Sequence, residues 1–271
     1  MTRRLLVALG LLALAGCVPD GVADFDFQAL QPPAPPEELT GFALVGTAEV
    51  GGLSVELFAD RGGLHVGYNR LRVRLAEGGV AVTEARIALA AAPAAGLAAG
   101  TALPAAAPPT RADADGFFEG SAFVLTPDTT ARTFILTAAV ETLDGAGGTA
   151  TFEAEARPDI WMQQRGDLLV SWVQPSRPVV GENTFEVAAH RWTGEAFEAV
   201  AGASADLYPY MDMGGGDGHS TPYDDFASEG SRYRWTVDFI MAGGWEMTVT
   251  LAPTGGGEEP FRFVGYTVYE P

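Results

Sequence analysis

The chain has 271 residues, 35 acidic against 16 basic side chains, and a formal net charge of −19. An acid excess of that size excludes a simple nucleic-acid binder, which needs basic groups to displace phosphate counterions. All 16 basic residues are Arg, and a single cysteine leaves no intrachain disulfide, cysteine-based zinc site or redox pair.

Residues 1 to 16 have the layout of a secretory signal: Arg3 and Arg4 form a positive n-region, Leu5 to Leu14 an apolar h-region, and small residues follow. The apolar run is too short to span a bilayer as a stable helix. Leu14-Ala15-Gly16-Cys17 resembles the bacterial lipobox. That resemblance implies a lipoprotein whose Cys17 carries acyl chains such as palmitate, which hold the mature protein on the membrane. Val18, standing where Asp would resemble an inner-membrane retention signal, leans toward the outer membrane if the cell is Gram-negative. Removing residues 1 to 16 takes away Arg3 and Arg4 and no acid, moving the net charge from −19 to −21. Residues 17 to 40 contain Gln31-Pro32-Pro33-Ala34-Pro35-Pro36-Glu37-Glu38, a proline-rich run suited to an extended tether at about 3.1 Å per residue.

From Gly41 onward the pattern has period two. Arg70-Leu71-Arg72-Val73-Arg74-Leu75 alternates polar and apolar, as does Tyr233 through Phe239, and Gly-, Pro- and Asp-rich breaks fall at short intervals. The fold class expected is all-β. The halves also match each other. Val66-Gly67-Tyr68-Asn69 and Val180-Gly181-Glu182-Asn183 lie 114 positions apart. Ala85–Leu89 matches Ala203–Leu207, and Gly116 before Phe123-Val124-Leu125 matches Gly230 before Val237-Asp238-Phe239, with Gly67 to Gly116 and Gly181 to Gly230 both 49 residues. Two tandem immunoglobulin-like β-sandwiches follow, residues 41–157 and 166–271. In the second, Tyr233–Met241 and Trp245–Leu251 read as a hairpin across Ala242-Gly243-Gly244, with a further strand over Phe261–Tyr269 closing the sheet.

The halves differ after Leu207. There the second reads Tyr208-Pro209-Tyr210-Met211-Asp212-Met213-Gly214-Gly215-Gly216-Asp217-Gly218-His219, a loop, where the first has Ala90 to Pro109, almost all Ala, Gly and Pro. Together with Val180-Gly181-Glu182-Asn183, Ala203–Leu207 and Phe239-Ile240-Met241-Ala242-Gly243-Gly244-Trp245-Glu246, these residues make the second half resemble the YtkA-like family of small extracytoplasmic β-sandwich domains. The hairpin carries one glycine more than the family pattern, and the first half keeps the strands while lacking the Met/His loop. The resemblance implies an association with copper handling and brings no catalytic residues.

The chemistry of the residues also permits a metal here. Thioether and imidazole are soft to borderline ligands that suit Cu(I), and Met211, Met213 and His219 share one glycine-rich loop that Met241 can join from the hairpin end. Two other readings stand beside it. Met211 and Met213 can cap the sandwich end as adaptable packing, with His219 solvated. Asp212, Asp217, Asp224 and Asp225 can be taken as hard oxygen ligands for calcium, although their spacing is not that of an EF-hand.

His65 and His190 read as surface or edge residues, and Arg70, Arg72 and Arg74 as a solvated stripe paired with neighbouring acids. No G-x-S-x-G elbow, H-E-x-x-H, P-loop or dinucleotide motif occurs, so the chain is not expected to be an enzyme. Copper binding or transfer by an envelope lipoprotein, with an envelope protein or a copper-handling partner, is set against a structural or adhesion module of the envelope that binds no metal.

Overall fold

The computed structural model describes residues 41–93, 101–106, 108–127, 132–158, 160–214 and 217–271. The signal, Cys17 and the proline-rich stretch therefore lie outside the described residues. The first half forms β1 (Ala43–Val50), β2 (Leu53–Ala59), β3 (Gly67–Glu77), β4 (Val80–Ala81), β5 (Ala85–Pro93), β6 (Thr101–Ala106), β7 (Phe117–Leu125), β8 (Arg132–Thr142) and β9 (Gly147–Ala156). The second forms β10 (Met162–Arg165), β11 (Leu168–Gln174), β12 (Gly181–Trp192), β13 (Phe197–Ala199), β14 (Ser204–Gly214), β15 (Asp217–His219), β16 (Tyr223–Glu229), β17 (Arg232–Phe239), β18 (Gly243–Ala252) and β19 (Glu259–Val268).

The architecture is all-β. In the first half the sheet β1-β2-β3-β7-β6, with β4 on β3, faces the sheet β5-β8-β9. In the second, β10-β11-β12-β17-β16, with β13 on β12, faces β15-β14-β18-β19. Alternation in the sequence sets which side chains enter each core: Leu53, Val55, Leu57 and Ala59 of β2 are all fully buried, with intermediate residues between them. Each fully buried Leu, Val or Phe contributes about 1.5–3 kcal/mol, and no disulfide supplements them.

The two halves correspond strand for strand. β1 to β5 answer to β10 to β14, and β6 to β9 to β16 to β19, with the same pairing partners. The match reaches individual hydrogen bonds. Asn69 donates to the carbonyls of His65 (2.7 Å) and Gly67 (3.0 Å) and accepts from the His65 amide (2.8 Å); Asn183 does the same with Val179 (2.7 Å, 3.1 Å) and Gly181 (2.8 Å). Gly67 and Gly181 take positive φ of 108° and 101°, a region that disfavours residues with a Cβ. Just before each, a parallel bridge reaches the end of the last strand, His65 to Arg157 and Val179 to Tyr269. Among the described strands only β15 has no counterpart in the first half.

Two expectations about the strands of the second sandwich need correction. β17 and β18 are not a hairpin: β17 pairs with β12 and β16, while β18 pairs with β14 and β19. Tyr233, Trp235, Val237 and Phe239 on one side and Trp245, Met247, Val249 and Leu251 on the other are all buried, so the two apolar rows face each other across the core. Side by side in one sheet they would lie about 5 Å apart in the ladder direction, whereas facing sheets are about 10 Å apart and let both rows interdigitate. Residues 240–242 carry the chain across, and the rings of Phe239 and Trp245 meet at 5.2 Å. The stretch after Leu207 is also not a loop. β14 runs on to Gly214 and turns back as β15, so the Met/His segment is itself a strand pair.

The sandwiches are packed against each other. β11 is buried at six successive positions, Leu168 to Val173, because its two faces serve two cores. Leu168, Val170 and Trp172 enter the second core, while Leu169 and Val173, with Met162, Ala188 and Phe197, join the core of the first half. A strand buried on both faces loses alternation, as in Leu168-Leu169-Val170-Ser171-Trp172-Val173. His190 lies in this junction, 2% exposed, with its ring 4.7 Å from that of Phe123. It is not the surface residue that the sequence indicates, since Phe123 reaches it from the other half. Among the described residues no helix is long and apolar enough to cross a membrane.

Candidate metal site in the second sandwich

Leu207 and Met211 share the inward face of β14, where period two points them into the second core; Met211 is 6% exposed. Met213 and Met241 are half-buried against the same core. The start of β18 is brought to β14 at Gly243: a Cβ built there would stand 3.0 Å from the Met211 Cε and 3.9 Å from its Sδ, so the thioether lies directly over a residue with no side chain. Gly243 has φ of 135°. Two positions before it, the Met241 carbonyl accepts a hydrogen bond from the Trp245 indole at 3.2 Å, which fixes the turn against the core.

β15 supplies the imidazole. His219 is the antiparallel partner of Met211, and directly opposite residues project to the same side of a strand pair. The register slips between Asp212 and Gly214, so Met213 sits in a bulge. The Asp212 carboxylate accepts from the Gly214 amide at 2.8 Å and holds that turn. On the other side Tyr210 lies across Gly218, leaving no room for a Cβ there, which locks β15 onto β14. Gly218, Gly243 and Tyr210 thus shape the site, and the sequence hinted at them only through the glycine content of the segment.

Met211 belongs to the second core beside Gly243, Met213 and Met241 pack against that same core, and His219, exposed, is paired opposite Met211. The donor set is soft, three thioethers and an imidazole, which fits Cu(I) and not a hard cation. Asp212, Asp217, Asp224 and Asp225 are all exposed, and among the described residues no three His, Cys, Asp or Glu side chains are grouped to hold an ion. Among the described residues of the first half no strand corresponds to β15; residues 94–100 and 107 of the matching stretch lie outside the described residues. The arginine stripe is paired as expected, Arg70 and Arg72 with Glu119 and Arg74 with Glu56.

Residues 162–250 match the model of the YtkA-like family. The match runs from the start of β10 almost to the end of β18 and contains Met211, Met213, His219 and Met241. No curated protein matches the chain. Among solved structures, domains 5–6 of the S-layer protein SbsC align at 9% identity with a TM-score of 0.35, over 85% of this chain and 99% of that one. A conserved domain protein from Bacillus anthracis aligns at 11% identity with a TM-score of 0.30, over 81% of this chain and 84% of that one.

Proposed function

We propose that this is an extracytoplasmic lipoprotein, anchored through Cys17 and tethered by residues 17 to 40, whose second sandwich binds Cu(I) through Met211, Met213, Met241 and His219. The first sandwich, a degenerate copy of the second, serves as a spacer. The observation that carries the reading is β15, the one described strand without a counterpart, which pairs His219 opposite Met211, while Met213 and Met241 pack against the same core. Three thioethers give the reduced ion soft ligands that carry no titrating proton. The half-buried environment of Met213 and Met241 shields it from solvent, while His219 on the exposed side offers a route for passing it on.

Anaerobic titration against a chromophoric Cu(I) chelator tests the assignment. The wild-type chain is expected to withdraw close to one equivalent, and the double variant Met213→Leu, Met241→Leu none. These substitutions conserve volume and cost less than about 1.5 kcal/mol each, so the fold survives them. Tight uptake that survives the double variant contradicts the site.

A second reading has its own observation. Met211 is buried as deeply as ordinary core residues, which suits a module that binds no metal and uses methionine to fill an irregular end. On that reading Cu(I) is not taken up and both leucines are silent.

A further inference from the structure

The junction between the sandwiches holds a cleft of about 430 Å³, bounded by Tyr68 and Arg70 of β3, by Val173, Gln174 and the Pro175–Arg177 connection after β11, and by Arg232 of β17. That volume lies in the range of small-molecule sites. Its charge runs against that of the molecule. In a chain with 35 acidic and 16 basic groups, three guanidiniums from three distant segments meet at one opening.

Each guanidinium is positioned. Glu119 takes the Nε of Arg70 at 2.9 Å and that of Arg72 at 3.0 Å. Glu186, 4% exposed, accepts from Arg232 at 2.6 Å and from the Gln174 amide at 2.8 Å. Arg177 is exposed, stacks on Tyr269 at 5.5 Å, and has no ion-pair partner among the described residues. The Tyr68 ring lies 5.8 Å from the Arg232 guanidinium and gives the cleft an aromatic wall. With the neighbouring Arg61, Arg72 and Asp60 counted, five guanidiniums (Arg61, Arg70, Arg72, Arg177 and Arg232) stand against three carboxylates (Asp60, Glu119 and Glu186) in and around the cleft, a local excess of positive charge that a concave wall focuses. A guanidinium held along one edge by a carboxylate still presents its other N–H groups as a planar fork, which matches carboxylate and phosphate oxygens.

We propose that this cleft binds a small, multiply charged oxyanion, a polycarboxylate or a phosphate ester, through Arg70, Arg177 and Arg232, with Gln174 and Ser176 as further polar contacts. Both sandwiches line the site, so the ligand bridges them. It shares no residue with the methionine end, and the two proposals stand or fall separately.

Calorimetric titration of the full chain in detergent, at low salt, with citrate and separately with pyrophosphate, tests it. Saturable one-to-one binding of at least one probe is expected; citrate alone identifies a carboxylate ligand, pyrophosphate alone a phosphate ligand, and either supports the site. Arg177→Gln should weaken binding about tenfold or more and Arg177→Lys less, because an ammonium keeps the charge without the fork. Ser176→Asp, at an exposed position that leaves every arginine in place, should also weaken it. Arg262→Gln, which removes a pair with Glu246 elsewhere on the second sandwich, should leave binding unchanged. Absence of binding by both probes at millimolar concentration, or binding equal to wild type in both Arg177→Gln and Ser176→Asp, overturns the proposal.

Discussion

His190 has its chemistry set by the meeting of the two sandwiches. Burial, and after it the positive charge of Arg232, pushes its pKa from 6.5 down to about 4. Its Nδ1 has no hydrogen-bond partner among the described residues. A folded pKa below the unfolded value means that the unfolded chain binds the proton first as pH falls. Stability is therefore intact above pH 6.5 and is lost progressively between about 6.5 and 4, by on the order of 3 kcal/mol at the low end. Urea unfolding at pH 7.5 and pH 5 should show this loss, and His190→Leu should flatten the dependence in that window. An equally steep dependence in the variant would assign it to other groups. Nothing around Ala188-Ala189-His190-Arg191 announces this burial, because Phe123, 67 residues earlier in the chain, covers the imidazole.

At the scale of elements, the paired Val-Gly-x-Asn segments show how far the sequence reaches and where it stops. Their equal spacing was legible because each Asn must tie down the turn that precedes its strand and each Gly must hold a positive φ. The surroundings of the two glycines were not legible. A Cβ on Gly181 would meet nothing within 4 Å, whereas one on Gly67 would lie 3.1 Å from the Ser171 Oγ and 3.3 Å from the Met162 Cβ of the second half. Gly181→Ala is thus expected to cost about 1–3 kcal/mol for backbone strain alone. Gly67→Ala should cost about 1–3 kcal/mol more from overpacking at the junction. Chemical denaturation of the two variants checks the order, and equal losses would mean that the junction yields without strain. That β17 and β18 face each other instead of forming a hairpin has a related cause. Alternation over Tyr233–Phe239 and Trp245–Leu251 tells which face of a strand is apolar, and it says the same whether the strands share a ladder or face each other across a core. The alternation of β14 likewise runs on through Met211, but Gly214-Gly215-Gly216 and Gly218 made the segment look like a loop.

For the whole molecule, the residues that join the two halves belong to one half by sequence and to the other by packing. Met162, Leu169, Val173, Ala188 and Phe197 belong by sequence to the second half and by packing to the first core. Separating the sandwiches would expose them together with His190, so the described residues should unfold as one cooperative unit, and a ligand on either sandwich should stabilise both. Motif spacing points to two matching halves but carries no sign that they are fused, apart from the unbroken apolar run of β11. Because binding to the folded state alone must raise the midpoint, by about 2.7 kcal/mol of stability at a hundredfold excess over Kd, the proposed copper binding should be readable in the melting of the entire chain. Scanning calorimetry with and without Cu(I), on the wild type and on Met213→Leu, Met241→Leu, is the most direct test. The account expects a single transition that Cu(I) moves upward in the wild type and leaves in place in the double variant. A wild-type midpoint unmoved by Cu(I), or one raised equally in both proteins, would contradict it.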